Sequence, residues 1–191
     1  MDVLQPDPNK DVTLDTATLR VLAHPMRLAL LNHLRHHGPA TGRQLAAIFG
    51  IDSGAASYHL RKLAAGDLID EDEERGTGRD RWWRALHRTS FHDPAQSPDQ
   101  EAGRAYAQAL VLAYADTLRT LAGQVPLLPQ DWYGASIFSD YTLTITPDAL
   151  NSLKSELVAV INRYRDAPTG ETAVSVQLQA YPLLEPRIAT D

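Results

Sequence analysis

The chain has 191 residues, of which 43% are hydrophobic and 22% charged, with no cysteine and a formal net charge of −6. This composition supports a buried core, argues against disorder, and excludes disulfides, thiolate nucleophiles and cysteine metal sites. There is no apolar run of bilayer length and no basic-then-apolar leader, so a soluble, cytoplasmic protein without membrane contact is expected.

The charge is unevenly placed. Thr18–His92 holds 11 Lys+Arg against 8 Asp+Glu, and all seven histidines; the remainder holds 7 against 16. A basic module on an acidic body suits a protein that meets phosphate with one part only.

In chain order, residues 1–12 contain prolines and polar residues and read as a flexible tail. A first helix is expected from about Asp15 to Leu22, broken at His24-Pro25, where Pro25 suits the first position of the next helix. Met26, Leu28, Ala29, Leu30, Leu31 and Leu34 make that second helix a core helix, ended by Gly38-Pro39. Thr41 and Gln44 have capping-box spacing for a third helix, with Leu45, Ala46 and Ile48 as its buried side and Gly50 at its left-handed end. Asp52 or Ser53 caps a fourth helix to about Ala65. Leu68–Glu74 and Asp80–Leu86 then read as two strands of a hairpin, with glycines at the 75–79 tip and acids on one strand facing arginines on the other.

Residues 92–98 form a polar linker. Ser97-Pro98-Asp99-Gln100 reads as a helix start with Ser97 as cap, and the helix should continue to about Leu121, roughly 35 Å at ~1.5 Å per residue. Its many alanines, with Gly103, suit close approach of another helix. In the last third, Tyr141–Ile145 and Val174–Ala180 alternate as half-buried strands do, around a helix from Thr146-Pro147-Asp148 to about Arg165. The expected fold is therefore mainly α with α+β character. Residues 1–12 are a tail, 13–92 a winged helix-turn-helix domain, 93–125 a linker and long dimerisation helix, and 126–191 a small β-α-β unit.

In the fourth helix, Ala56, Leu60 and Leu63 share one side at helical spacing and should face the core. Ser53, Gly54, Ser57, Tyr58 and Arg61 fall on the other, and His59 reads as a core or supporting residue. A small, hydroxyl-bearing first turn lets a helix end approach base edges, and Arg61 can reach a guanine with two parallel bonds or a phosphate with one. Lys62 suits the backbone. In the hairpin, Arg75 and Arg79 at the tip, and Arg81 behind them, suit phosphate or minor-groove contact. Trp82 and Trp83 alternate, so one is expected in the core. These residues predict binding to double-stranded DNA, with the fourth helix in the major groove.

The segments LAHPMRLALLNHL, TGRQLAAIFGI, SGAASYHLRKLAAGDLI and RGTGRDRWWRAL resemble the ArsR-type winged helix-turn-helix repressors, closest to a cysteine-free, longer branch. The likeness spans about residues 15–90. It implies a homodimer that binds a palindromic operator through Ser53–Lys62 with the wings alongside, and an inducer that lowers DNA affinity. The carboxy-terminal region lies outside that short domain.

Other readings were open to the same residues. His33, His36 and His37 share a helix face at i, i+3, i+4, but no carboxylate stands at ligand spacing, so a solvated helix end is favoured and no metal or other cofactor is expected. Trp132, Tyr133, Phe138, Tyr141, Tyr164 and Tyr181 gather aromatics that would line a pocket for a small-molecule effector or, more often, fill the core of a small unit or a dimer interface. A winged-helix module that binds only protein is the third reading. No phosphate loop, nucleophile elbow, zinc-protease spacing or paired carboxylates occur, so catalysis is not expected.

Overall fold

The computed structural model describes residues 7, 10–75, 81–166 and 170–183. They fall into two compact units, one within Pro6–Gly134 and the other taking in residues 135–183.

The first unit is built on α1 (Thr16–Leu22) and α2 (Pro25–His37). Asp15 caps α1 by accepting the Thr18 amide, and His24 caps α2 through Nδ1, which accepts from the Met26 amide at 3.2 Å. Pro25 opens α2, where its missing N–H has no partner to lose. The elbow between the helices is tied by Arg27, whose Nε donates to the Val21 carbonyl. Leu28, Leu30, Leu31 and Leu34 are buried against Leu19 and Leu22. Each such leucine contributes on the order of 1.5–3 kcal/mol relative to exposure.

Next come α3 (Gly42–Phe49) and α4 (Ser53–Ala64), packed on each other. The capping box is complete: Thr41 Oγ1 accepts from the Gln44 amide, and Gln44 Oε1 accepts from the Thr41 amide at 2.8 Å. Gly50 takes the left-handed conformation at φ 62°, and the Ile51 amide closes back onto the Ala46 carbonyl at 3.0 Å. That closure turns the chain within three residues and sets the angle between the two helices. Leu45 and Ala46 are buried as expected, but Ile48 is 55% exposed; Phe49 packs against the core in its place, edge-on to His33.

A three-stranded sheet of β2 (Ala40–Thr41), β4 (Trp82–Ala85) and β3 (Ile69–Glu71) backs the helix pair, in the order β2-β4-β3 and antiparallel throughout. The two hairpin strands are shorter than their sequence pattern, and the tip at 76–80 lies outside the described residues. Trp83 is the buried one of the tryptophan pair, while Trp82 stays half-buried beneath the Arg75 guanidinium, 5.9 Å from its ring centre.

Two expectations are corrected here. The end of the expected tail is a strand, β1 (Asp11–Thr13), paired in parallel with β5 (Thr89–Phe91). Asp11 is buried there and meets Arg88 Nε at 3.4 Å, so a charge pair holds a segment with too few apolar residues to hold itself. The long helix α5 (Gln100–Gln124) is capped by Asp99, not Ser97. The Asp99 carboxylate accepts the Ala102 amide at 2.9 Å and also meets Arg20 of α1 at 2.8 Å, and together these hold it below its ordinary range. The first half of α5 packs on α1 and α2 within the same chain, burying Ala102, Gly103, Tyr106, Ala109 and Ala113. Its small residues therefore serve an internal helix contact. A side chain at Gly103 would require His92 to shift, since a Cβ would stand 2.9 Å from its Nε2.

Arg35 joins these layers. Its Nε donates to the His87 carbonyl at 2.9 Å and its Nη2 to Ser90 Oγ at 2.8 Å. Burial pulls Arg35 down to about 10 and pushes the neighbouring Tyr106 hydroxyl up to about 12, which leaves both in their usual states at neutral pH.

A short 3-10 turn (Val125–Leu127) follows α5, then α6 (Gln130–Ala135). The second unit holds α7 (Pro147–Asp166), as expected. The two flanking strands are not formed: among the described residues, 136–146 and 170–183 carry neither helix nor strand. Alternation gives these segments strand propensity, but a strand exists only where a neighbour completes its hydrogen bonds. Tyr141, Tyr164 and Tyr181 are exposed, as are Trp132, Tyr133 and Phe138. Among the described residues no helix is long and apolar enough to cross a membrane.

Candidate nucleic-acid interface

The side of α4 that faces away from the core is built from its own sequence spacing. Ala56, Leu60 and Leu63 are fully or almost fully buried, which turns Ser53, Gly54, Ser57, Tyr58, Arg61 and Lys62 outward; all six are exposed. Asp52 caps the helix through its carboxylate, which accepts the Ala55 amide at 2.9 Å. Gly54 lies under that carboxylate, where a Cβ would come within 3.0 Å of Oδ1, so the first turn presents no bulk beyond the serines. The Ser57 hydroxyl donates back to the Ser53 carbonyl at 2.8 Å and keeps its lone pairs facing outward. Tyr58 and Lys62 lie side by side, the ammonium 5.8 Å from the ring centre.

Three elements converge beside this face. Thr41, Gly42 and Arg43 from the start of α3, Ser53, Ser57 and Arg61 from α4, and Arg81 and Trp83 from the hairpin line one surface groove. It holds three guanidiniums and the amide end of α3, each of which favours an anion. A duplex strand following it would lie against α3 and the hairpin while α4 entered the groove between strands.

Arg81 and Arg84 are held by acids on the facing strand, and Arg75 by an acid on its own arm. Arg81 Nη1 meets Glu71 Oε1 at 2.9 Å, Arg84 meets Asp70 at 3.8 Å, and Arg75 Nε meets Asp72 at 3.4 Å. The register pairs Asp70 with Arg84 directly. Such exposed pairs contribute little to stability, ~0–1 kcal/mol each, and a phosphate can displace the carboxylate. Arg79 lies outside the described residues.

Of the residues singled out in the sequence, Ser53, Ser57, Arg61 and Arg81 share the groove, while Tyr58 and Lys62 lie further round α4 and Arg75 on the hairpin. Arg43 and Thr41 were missed. The signal was present: a capping box at Thr41–Gln44 places residues 42 and 43 in a first turn, where amides and a flexible cation point off the helix end.

On the core flank of α4, His59 packs on His24, with ring centres 4.7 Å apart, and its Nδ1 is buried with no hydrogen-bond partner. Burial and then Arg27 hold His24 below its ordinary range; burial, then His24, then Arg27 hold His59 below its own. The histidine-rich end of α2 is a stack, His33 on His37 at 4.6 Å. Among the described residues no three His, Asp or Glu side chains are placed to hold a metal ion.

A family model described as a helix-turn-helix domain matches residues 22–72, which run from the end of α1 to the start of the hairpin. No curated protein matches the chain. The match covers α3 and α4 with the helix that supports them, including Thr41, Gly42, Arg43, Ser53, Ser57 and Arg61 of the groove, while Arg81 and Trp83 come from the hairpin beyond it. Residues 22–72 are thus a helix-turn-helix DNA-binding domain, and the chain that carries them is a transcription regulator.

Proposed function

We propose that the chain is a homodimeric repressor of the ArsR type, binding a palindromic operator in double-stranded DNA. The observation that carries this reading is the groove in which Arg43, Arg61 and Arg81 surround the serine-bearing start of α4. In it, Ser53, Ser57 and Arg61 meet base edges; Tyr58 and Lys62 flank them; Arg43, Arg75, Arg79 and Arg81 meet phosphates. The exposed Val111, Leu112 and Leu118 on the outer half of α5 support a second copy pairing there, which would set the two reading helices about one DNA turn, ~34 Å, apart. The chain acts by occupancy and not by catalysis, in the cytoplasm, and an effector would work by changing the spacing of the two helices.

Selecting chromosomal fragments on the purified protein, then footprinting them, tests this. Two symmetric protected half-sites about one turn apart are expected. A single asymmetric footprint would refute the two-copy arrangement, and retention of no fragment would refute DNA binding. The protein-only reading predicts that last result.

A further inference from the structure

We propose that the second unit is a contact between two copies of this chain, made by residues 141–145 and 174–178 on either side of α7. The proposal rests on the two-copy reading above but assigns the contact to a different part of the molecule. Tyr141, Leu143 and Ile145 form one apolar row at strand spacing; Val174, Val176 and Leu178 form another. Their exposure runs from 45% at Ile145 to 82% at Tyr141. Neither segment pairs with any strand among the described residues.

The apolar area left open matches what a dimer needs. A whole aromatic side chain carries ~150–250 Å², and a whole aliphatic one on the order of 60–120 Å² at the usual coefficient. At the exposures found, the two rows with Tyr181 come to roughly 550 Å². A stable interface takes about 800 Å² from each partner, of which roughly 60% is apolar.

Charge identifies the occupant. Residues 141–147 and 172–183 contain no Asp, Glu, Lys or Arg. Soluble proteins blunt an open strand edge with charge, above all lysine, so a charge-free edge belongs to a strand that is paired in use. With no cation, the rows have nothing to offer a phosphate backbone or an anionic lipid surface. A partner must be equally neutral, apolar and strand-forming. The same rows on a second copy meet each requirement and, about a two-fold axis, complement themselves. Main-chain N–H and C=O groups of the two copies then complete the ladder that one chain leaves open.

The test is sedimentation velocity of the full chain over a micromolar range, without DNA. The wild type is expected to sediment as a dimer. Leu143→Glu with Val176→Glu should weaken the dimer by ~10-fold or more, while Leu112→Glu with Leu118→Glu, on α5, should weaken it less. Circular dichroism with an unchanged helix signal shows that the variant is folded. If it is not, Val174→Thr with Val176→Thr keeps the strand-forming shape and should still weaken the dimer. A monomeric wild type, a 143/176 variant as dimeric as the wild type, or dissociation by the α5 pair alone would each overturn the proposal. Because no DNA is present, a chain that binds no duplex leaves this outcome untouched, and a monomer that binds DNA overturns this contact and the two-copy arrangement while leaving DNA binding intact.

Discussion

Mild acid should loosen the reading helix from its support. His24 accepts the Met26 amide through Nδ1, so its proton sits on Nε2 and a second proton can add only at the cap. Protonation therefore removes a helix cap, about 1 kcal/mol, and places a cation at the positive end of α2. His59, 4.7 Å away, has a buried Nδ1 with nothing to receive its N–H once charged. The groups that face the pair offer no anion: Arg27 lies beside both rings, Tyr58 packs on His59, and Lys62 packs on Tyr58. Two like charges at this spacing repel by ~1 kcal/mol in water and ~3–4 kcal/mol at an effective dielectric of ~20. The rings are partly open to solvent, so screening holds the combined cost to ~1–3 kcal/mol. Both folded pKa values lie below the ordinary 6.5. The stability tied to the neutral pair is therefore fully present above that value and is lost as pH falls through the lower, folded ones. Asp15 and Asp99 are held below 3.8 and stay charged through this window. Melting followed by circular dichroism at successive pH values below 7.5 should show the wild type losing ~5 °C or more relative to a His24→Asn, His59→Gln variant. Asparagine keeps the cap, and neither replacement titrates. His33 and His36 also lie below their ordinary range, by burial first, but they remain in both proteins. Equal losses in the two proteins would refute the reasoning.

Other consequences are open to direct measurement. Arg61→Ala should weaken binding to the selected operator by ~1–3 kcal/mol if the guanidinium reads a base; an equal loss on unrelated duplex would make it a phosphate contact. Glu71→Gln releases Arg81 from its 2.9 Å partner and should tighten DNA binding by up to ~1 kcal/mol in a titration at low salt; unchanged affinity would remove Arg81 from the interface. Gly103→Ala forces a methyl against His92 Nε2 and should lower stability by ~1–3 kcal/mol in urea unfolding; a neutral result would mean that His92 swings away freely.

Local chemistry was the legible part of this fold. The cap at Thr41, its reciprocal Gln44 and the left-handed Gly50 each act within four residues, so spacing alone locates them; it narrows the next cap to Asp52 or Ser53, and with it the outward side of α4. The parts that escaped depend on distant partners. Nothing in Asp-Val-Thr or Thr-Ser-Phe marks β1 and β5, which exist because Arg88 and Asp11 meet across the chain. Serine and aspartate both cap helices, and the choice of Asp99 over Ser97 follows from Arg20, which lies 79 residues away. The rows at 141–145 and 174–178 show the converse, a clear strand pattern with no neighbour to pair it. Arg43 was passed over because α3 reads as a supporting helix; only the folded groove brings its first turn beside Arg61 and Arg81.

The central claim is that this groove holds duplex DNA with Arg43 and Arg81 on its backbone, and its most direct test is the salt dependence of duplex binding by the wild type and an Arg43→Ala, Arg81→Ala variant. The wild type should bind at low ionic strength and lose affinity steeply as salt rises. The variant should bind weakly, with a slope shallower by ~0.9 for each phosphate contact removed. A wild type that binds no duplex at low salt, or a variant with the same affinity and slope, would contradict the account.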